Sequence, residues 1–424
     1  MTILGATSPP QFAIGESDYR DLRRKGMTYV DKTRWAADIL GQGAKVHIVP
    51  RPRRFGKTLN MSMLRYFVER TGEDRTDLFA DTVLWTAEGG RYRQHFQRYP
   101  TIYLSFKDLR EATWEGCLAQ LSALLAATAQ EVSSSALGAQ PSDDEALRAQ
   151  LPGASSPPLR DAQFALLALT RWLHQTTGEQ CIVLIDDYDT PLHAALQHGY
   201  WDEAVRFFGG FLSAGLKDTT HVYKAVLAGS YLVNLTDSIG GFNNFTAHTF
   251  LNTAMSAHFG FDEHEVISLC EAAKAPELAG VLSEYCGGYR CGNAPVRVLC
   301  NPGTVVARLQ AAFLTSAALR QEFNDADSVH PAPVEPPSWM AAALSSLLDG
   351  EPFKLTNDGF VDLPQVSHSG AAAFGLLFHS GLLTALAIES THMGPQVTLG
   401  LPNLCARAAL EIMAKGAPQK LSPP

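Results

Sequence analysis

The feature that most constrains the fold is the stretch Arg51–Thr58, RPRRFGKT, together with the segments on either side of it. Before it, the β-branched run KVHIV (45–49) is typical of a buried strand. After it, LNMSMLRYFVER (59–70) has apolar residues at three- and four-residue spacing, which predicts an amphipathic helix. A P-loop fold requires strand, loop and helix in this order, so the chain is predicted to contain one.

The loop itself fits most of a Walker A pattern, GxxxxGK[ST]. In that pattern backbone amides surround the phosphates, the Lys reaches the β and γ oxygens, and the hydroxyl ligates Mg²⁺. Gly56, Lys57 and Thr58 match it, whereas Arg51 occupies the position of the first Gly. The alternative is a turn that contains GKT by chance. The predicted nucleotide-binding residues are Arg51, Arg53, Arg54, Phe55, Gly56, Lys57, Thr58 and Leu59.

Local charge favours the phosphate-binding interpretation. Residues 45–70 contain seven Lys or Arg and a single acid, Glu69, so their net charge is +6 within a chain of net charge −9. Positive charge at a helix N-terminus suits a polyphosphate, and Arg51, Arg53 and Arg54 are expected to add charge to the phosphate rim. A nucleic-acid patch or a solvated face are the competing interpretations, although the acidic balance of the whole chain argues against a general nucleic-acid coat.

A second motif, CIVLIDDYD (181–189), has the form of a Walker B element. Such an element is an apolar strand that ends in an Asp bound to Mg²⁺, followed by a carboxylate that activates water. Asp186 is the predicted metal partner with Thr58, and Asp187 is the candidate base. A helix N-cap or a loop acid is the alternative for these carboxylates. The predicted catalytic residues are Lys57, Asp186 and Asp187, and the predicted metal ligands are Thr58 and Asp186.

Together the motifs resemble the AAA-ATPase-like family of P-loop proteins, along about residues 12–410. The resemblance rests on FAIGESDYRDL (12–22), YVDKT (29–33), RPRRFGKTLNMSML (51–64), LIDDYDTPL (184–192), GGFNN (240–244), HFGFDEHEV (258–266), Gly288-Tyr289-Arg290 and Asn301-Pro302. It implies ATP and Mg²⁺ as cofactors, and it makes RPRRFGKT a family variant of Walker A. Family members often carry a PD-(D/E)XK nuclease-like domain, which we expect to be absent from this chain. Such relatives suggest a role in defence or mobile-element biology.

Two departures from the family pattern concern hydrolysis. The family usually has Asp-Glu-Tyr-Asp where this chain has Asp186-Asp187-Tyr188-Asp189, so the candidate base is one methylene shorter. It commonly has Thr-Gly-x-x-Arg after the fourth strand, where this chain has Ala228-Gly229-Ser230-Tyr231-Leu232. The resemblance therefore implies intact nucleotide binding with weakened hydrolysis. An ATPase, a nucleotide-binding switch or pseudo-ATPase, and a nucleic-acid-binding module are the three hypotheses.

Alternation of helices and strands over residues 30–230 predicts an α/β sheet with a parallel core. Further strands are predicted at 101–106, 181–186 and 222–229, and helices at 161–174 and 202–216. We predict an ATPase core over 10–260 with a flexible insertion at 131–160, a helical region over 261–330, and a winged-helix-like part over 337–412. For that last part a packing or partner-binding role is favoured over DNA binding, because its final helix offers only Arg407 and Lys415.

Other features limit location and partners. Ala371–Ile388 has no formal charge, but His379, Ser380 and two glycines interrupt it, which favours a buried helix followed by a turn and strand over a membrane span. The N-terminus lacks the features of a secretion signal, so a cytoplasmic protein is expected. Possible partners are the nucleotide, a protein or a second copy of the chain, and more weakly nucleic acid.

Several residues have a structural as well as a functional interpretation. Asp31 and Lys32 could contact the nucleotide or form a structural ion pair, and Asn243 and Asn244 could be sensor groups or turn formers. The cysteines are Cys117, Cys181, Cys270, Cys286, Cys291, Cys300 and Cys405. No CxxC pair occurs among them, so reduced, buried thiols are favoured over a metal site at Cys286, Cys291 and Cys300.

Overall fold

The computed structural model describes residues 3–5, 10–137, 159–235, 242–253, 255–292, 296–314, 340–356, 359–392 and 394–414. They form two compact units. Unit 1 contains the described residues of Met1–Gly5, Gly15–Pro50 and Lys57–His248, and unit 2 those of Ala6–Ile14, Arg51–Gly56 and Thr249–Pro424. The Walker A stretch is therefore divided, since Arg51–Gly56 belongs to unit 2 and Lys57 to unit 1.

Most of the strands and helices that the sequence predicts lie in unit 1. In chain order its elements are β1 (Ile3–Leu4), α1 (Tyr19–Arg24), β2 (Tyr29–Val30), α2 (Arg34–Gly41), β3 (Val46–Pro50), α3 (Lys57–Val68), α4 (Thr76–Phe79), α5 (Val83–Gly90), a 3₁₀ helix (Arg91–His95), β4 (Thr101–Ser105), α6 (Trp114–Leu137), α7 (Leu159–Thr177), β5 (Cys181–Asp186), α8 (Thr190–His198), α9 (Trp201–Leu216), β6 (Val222–Gly229) and β7 (Thr246–Ala247).

The core of unit 1 is a five-stranded sheet in the order β4–β5–β6–β3–β7, in which every neighbouring pair is parallel. All six residues of β5 are buried, as expected for a strand covered on both faces. The prediction of a P-loop α/β fold with a parallel core is confirmed. Because β6 lies between β3 and β5, its end at Gly229 lies between Pro50 and Asp186, which end those two strands.

Unit 2 combines short helices with two small antiparallel sheets, β8–β9 and β10–β12–β11. In chain order its elements are a 3₁₀ helix (Ser256–His258), α10 (Glu263–Ala272), α11 (Leu278–Cys286), β8 (Tyr289–Cys291), β9 (Arg297–Leu299), α12 (Pro302–Leu314), α13 (Met340–Leu348), β10 (Phe353–Thr356), a 3₁₀ helix (Leu363–Gln365), α14 (Gly370–Ser380), β11 (Thr384–Thr391), β12 (Gly394–Gly400) and α15 (Leu404–Ala414).

The uncharged stretch Ala371–Ile388 forms a buried helix, a turn at Gly381 and the start of β11, as predicted. Gly381 ends the helix with a φ of 84°, a conformation that suits glycine. None of the helices formed by the described residues is long and apolar enough to cross a membrane. Strands β11 and β12 pair in unit 2, with β10 as a third strand beside β12, and the winged-helix-like assignment remains a prediction.

The division into three parts over 10–260, 261–330 and 337–412 likewise remains a prediction. The insertion expected at 131–160 begins later, because α6 continues to Leu137. Val132 and Ser133 are buried there, so packing extends the helix into a Ser-rich stretch that its composition alone assigns to a loop. The rest of that insertion, 138–158, and the break at 323–337 lie outside the described residues.

Helices α7 and α9 pack closely against each other, and two glycines of α9 mark the contact. A Cβ at Gly215 would lie 2.7 Å from Cγ of Leu166, a branch point close to its own backbone. A Cβ at Gly210 would lie 2.2 Å from Nε2 of Gln163, the far end of a flexible side chain. The two positions therefore differ in how easily the neighbour can move.

We expect Gly215→Ala to lower the free energy of unfolding by about 1–3 kcal/mol, because the added methyl overpacks a buried contact. Gly210→Ala is the matched control in the same helix. It should be neutral or stabilising by up to about 1 kcal/mol, because Gln163 can turn away and Ala is the better helix former. Urea unfolding monitored by circular dichroism measures both. Equal effects of the two substitutions would contradict the proposed packing difference.

Candidate functional site

Lys57, Thr58 and Asp186 come together at the carboxyl end of the unit 1 sheet. Lys57 and Thr58 begin α3, and Asp186 is the last residue of β5. The side chain of Thr58 hydrogen-bonds to the carboxylate of Asp186, and the positive charge of Lys57 acts on the same carboxylate. Function in parallel α/β sheets concentrates at this edge, so the structure joins the two motifs where such a site is expected.

Asp186 is 1% exposed and strongly affected by its surroundings. Burial and the negative charge of Asp187 raise the pKa of Asp186 to about 6, although Thr58 and Lys57 act in the opposite direction. The hydrogen bond of Thr58 and the charge of Lys57 therefore do not offset burial and the charge of Asp187. An additional cation at this position would favour the ionised form.

The available donors suit Mg²⁺. The hydroxyl of Thr58 and the carboxylate of Asp186 are hard oxygen ligands, and Mg²⁺ is usually held by one or two carboxylates together with phosphates and water. Among the residues that the structure describes, no group of three or more His, Cys, Asp or Glu side chains could hold a metal ion.

Asp187 turns the chain sharply after β5. Its φ is 53°, in the left-handed region, and its amide donates a 3.1 Å hydrogen bond to Oδ1 of Asp186. Asp and Asn tolerate this conformation better than most residues with a Cβ. The side chain of Asp187 is half-buried, beside the carboxylate of Asp186. The residue expected to act as a base thus also has a backbone role.

Asp189 fixes the segment that follows β6. Its buried Oδ2 accepts hydrogen bonds from the amides of Ser230 at 2.9 Å and Tyr231 at 3.1 Å, and it lies 3.4 Å from Nε2 of His193. Burial alone would raise the pKa of Asp189, but the hydrogen bond and charge of His193, the charge of Lys57 and the Ser230 amide hold that pKa below its ordinary value.

Tyr188 and Gly229 strengthen this connection. The Tyr188 hydroxyl donates to the carbonyl of Tyr231 at 2.7 Å and accepts from the amide of Val233 at 3.2 Å. A Cβ on Gly229 would lie 2.7 Å from Oδ1 of Asp189, so glycine is required for the close approach. Leu232, at the position where the family resemblance implies an Arg, is 1% exposed and belongs to the core.

In unit 2, Arg51 is fully buried. Its guanidinium lies 5.0 Å from the ring centre of Phe250 and 5.2 Å from that of Phe259. Burial lowers the pKa of Arg51 to about 10, so Arg51 remains charged at neutral pH. Burial and the charge of Arg51 lower the pKa of His379 to about 3. A role at a phosphate rim would require Arg51 to leave these aromatic contacts.

The rest of the segment Arg51–Gly56 also packs within unit 2. The Arg53 carbonyl accepts from the side-chain amide of Asn301 at 3.2 Å, and the Arg54 carbonyl accepts from the amide of Gly303 at 3.1 Å. The side chains of Arg53 and Arg54 are exposed. Phe55 is buried, with its ring in edge contact with Phe250 and Tyr289.

The backbone of this segment explains the missing first Gly. Positive φ values occur at Arg54 (65°) and Gly56 (81°), whereas Arg51 has none. The conformation that favours glycine therefore lies later in the loop, and position 51 accepts a large side chain.

Some of the positive charges of residues 45–70 are engaged within unit 1. In unit 1, Arg65 pairs with Glu69 at 3.1 Å and with Glu131, and Nζ of Lys45 donates to the carbonyl of Thr219 at 2.6 Å. Leu59 is half-buried on α3. Summed charge along the sequence therefore overstates the positive charge available to a ligand.

The remaining candidates are less directly placed. Asp31 accepts hydrogen bonds from Thr33 and, at 2.7 Å, from the amide of Val83, which favours its structural interpretation. Lys32 is buried, and Asn243 and Asn244 are exposed.

A parallel sheet with Lys57-Thr58 at the start of a helix after one strand, and Asp186 at the end of another, defines a P-loop nucleoside-triphosphate-binding protein. The model of a protein family described as "Predicted AAA-ATPase" matches residues 13–238, which is more than half of the chain. The chain therefore belongs to this family of ATPase-like, nucleotide-binding proteins, and the resemblance seen in the sequence is confirmed.

Three similar proteins extend the comparison. The chain is 25% identical over 399 residues to an uncharacterized protein in the vnfD 5' region of Azotobacter chroococcum mcd 1, and the match covers 90% of this chain but only 65% of that protein. A Walker-type ATPase of Pyrococcus abyssi has a TM-score of 0.45 at 12% identity, over 96% of this chain and 100% of that one. The ORC2 protein of Aeropyrum pernix, solved as ADPNP–ADP complexes, has a TM-score of 0.36 at 12% identity, over 98% and 99%.

We expect Asp189→Ala to lower the free energy of unfolding by about 3 kcal/mol, because it leaves two buried amides without an acceptor. Asp189→Asn keeps a side-chain oxygen there and should cost less. The folded-state pKa of Asp189 lies below its ordinary value. Its contribution to stability is therefore present above pH of about 4 and is lost as the pH falls through the lower, folded-state pKa.

Chemical unfolding from pH 7 down to about 3 tests this expectation. Asp108→Ala, which truncates an exposed carboxylate, is the control and should change little at any pH. If Asp189→Asn loses stability with falling pH as steeply as the wild type does, the pH dependence does not come from Asp189.

Proposed function

We propose that this chain binds ATP with Mg²⁺ through the Lys57, Thr58 and Asp186 cluster and hydrolyses it slowly. The observation that carries the proposal is the hydrogen bond between Thr58 and the buried Asp186 beside the charge of Lys57. This hydrogen bond joins the start of α3, in the Walker A motif, to the end of β5, in the Walker B motif. Mg²⁺ dependence is supported by the oxygen donors and by the raised pKa of Asp186.

Each residue has a definite task in this proposal. Lys57 neutralises the β and γ phosphate oxygens, and Thr58 and Asp186 hold the metal ion. The bound ion would neutralise charge that develops on those oxygens. Arg53 and Arg54, which are exposed, are the arginines free to reach a phosphate rim without disturbing buried packing. The α3 N-terminus adds its amides and dipole.

Slow hydrolysis follows from two features. Asp187 is one methylene shorter than the Glu that the family resemblance implies, and misplacing an activated water by about 1 Å can cost about 100-fold in rate. Leu232 occupies the place of the implied sensor Arg and is buried among apolar residues. Ser230 uses its amide to bind Asp189. The transition state would therefore lack one cation and have a poorly placed base.

A nucleotide-binding switch without significant turnover is the second candidate, and the same two features favour it. Nucleic-acid binding has weaker support. On α15, Arg407 pairs with Glu411 at 3.1 Å, and Lys415 lies outside the described residues. Because the chain spans 65% of the length of its curated relative, that protein's partners and complete activity are not transferred to this chain.

We expect Lys57→Ala to weaken Mg²⁺–ATP binding by about 10- to 100-fold, because a charge-assisted hydrogen bond contributes about 1.5–3 kcal/mol. Lys45→Ala removes the same charge from the same stretch, where Nζ binds the Thr219 carbonyl, and should leave binding unchanged. Titration calorimetry measures both. A wild-type protein that binds no nucleotide in the presence of Mg²⁺ would refute the proposal.

We expect Asp187→Glu to raise the steady-state hydrolysis rate, by up to about 100-fold, with little change in ATP affinity, because the longer arm restores the position of the base. Asp187→Asn is the matched control: it keeps the size and the tolerance of a left-handed φ but cannot accept a proton. Phosphate release measures the rates. Hydrolysis by Asp187→Asn at the wild-type rate would show that Asp187 is not the base.

DNA affinity distinguishes the third hypothesis. Binding that survives Lys57→Ala and falls steeply with salt would favour a nucleic-acid module over an ATP-dependent one.

A further inference from the structure

Unit 2 contains a cavity of about 500 Å³ that the proposed nucleotide chemistry does not use. It lies beside the start of α10, the end of α11 and strand β9. Charged groups of both signs line it, among them Asp262, Glu263 and Arg297, together with His264. Cys300 and Ser283 also line it, so a small polar molecule in the cavity has access to a thiol.

A second thiol, Cys286, lies next to Cys300. The amide of Asn301, the residue after Cys300, donates a 2.9 Å hydrogen bond to the carbonyl of Cys286. Sγ of Cys300 lies 3.0 Å from the position that a Cβ on Gly287 would occupy, against the residue that follows Cys286. A disulfide needs Cα atoms about 4.4–6.8 Å apart, so a direct bond between the two sulfur atoms requires this proximity to extend to Cys286 itself.

The two thiols differ in access and in protonation. Cys300 is 4% exposed and lines the cavity, whereas Cys286 is 1% exposed. Hydrogen bonding with Cys286 and Ser283 lowers the pKa of Cys300, although burial and the nearby Glu263 and Asp262 oppose this. The Cys286 thiol also donates a 3.1 Å hydrogen bond to the carbonyl of Leu282. Hydrogen bonding with Cys300 and burial raise the pKa of Cys286. Cys300, which lines the cavity, is thus the thiol that an oxidant in the cavity meets, and Cys286 is the more buried thiol beside it.

We propose that Cys300 and Cys286 form an oxidisable thiol pair, in which a small hydroperoxide enters the cavity, reacts with Cys300 and leaves a Cys286–Cys300 disulfide. This assigns a modification site to unit 2 that is independent of nucleotide binding.

The reaction has two balanced steps. The Cys300 thiolate attacks one oxygen of hydrogen peroxide; an S–O bond forms, the O–O bond breaks, and the hydroxide released takes a proton to become water. The Cys286 sulfur then attacks the Cys300 sulfur; the S–S bond forms, the S–O bond breaks, and hydroxide leaves with the Cys286 proton as a second water. The two thiols lose two electrons, and the peroxide gains them.

Two other thiols lie near the pair, so the proposal that Cys286 and Cys300 bond to each other is a specific one. Cys405 contributes to the raised pKa of Cys286, and Cys300 contributes to that of Cys270, so both lie close enough to interact. Neither Cys405 nor Cys270 lines the cavity. A disulfide that included either of them instead would show that access through the cavity does not direct the reaction.

The test uses the reduced full-length chain and hydrogen peroxide, followed by alkylation of the remaining thiols under denaturing conditions and peptide mapping. We expect a Cys286–Cys300 cross-linked peptide that dithiothreitol removes. Cys117 and Cys181 of unit 1 are internal controls, since both are buried and burial raises the pKa of each to about 12. They should react at least about 10-fold more slowly.

Variants identify the order of steps. With Cys286→Ser, oxidation should stop at a sulfenic acid on Cys300 that dimedone traps, and with Cys300→Ser the cross-link should disappear. Cys117→Ser is the matched control and should oxidise like the wild type. If a variant does not fold, the wild-type map alone still decides. Absence of the Cys286–Cys300 peptide, a cross-link to Cys405 or Cys270 in its place, or oxidation of Cys300 no faster than Cys117 would overturn the proposal.

Discussion

The site in unit 1 depends most on how the end of β5 is held. Asp186, Asp187 and Asp189 crowd negative charge at the edge of a parallel sheet, where the chain must also turn. Asp189 is compensated by the protein itself, through the amides of Ser230 and Tyr231. Because β6 lies between β3 and β5, these bonds fix the loop after β5 to the end of its neighbour. Asp186 is then held beside Thr58, with Lys57 acting on it.

The backbone conformation at Asp187 and its proposed role as a base favour different residues. A left-handed φ of 53° favours Asp or Asn, whereas placing a base at the reach implied by the family resemblance favours Glu. Asp suits this backbone conformation, but its carboxylate extends one methylene less far than that of Glu. The slow turnover proposed above would follow from this shorter arm. Burial and the charge of Asp187 raise the pKa of Asp186, because Thr58 and Lys57 do not offset them.

Sequence patterns predicted the parts of the fold whose burial is extreme. Strands 181–186 and 222–229 were predicted to the residue, because apolar runs buried on both faces leave little doubt about their ends. Strand β10 was missed, since FKLT is short and half exposed. The sequence pattern could not predict which way each side chain points. The positive charges of residues 45–70 lie close along the chain, but Arg65 is paired with acids and Arg51 is packed against rings.

Arg51 shows that a departure from a motif can have a structural cause. A first Gly is needed where the backbone takes a positive φ or approaches a ligand closely, and here the positive φ values fall at Arg54 and Gly56. The guanidinium instead lies between Phe250 and Phe259, where a desolvated cation–π contact contributes about 2 kcal/mol or more. A glycine at this position would leave the space between the rings empty. The arginine therefore belongs to the core of unit 2, and the exposed Arg53 and Arg54 are the residues of this loop that remain able to meet an anion.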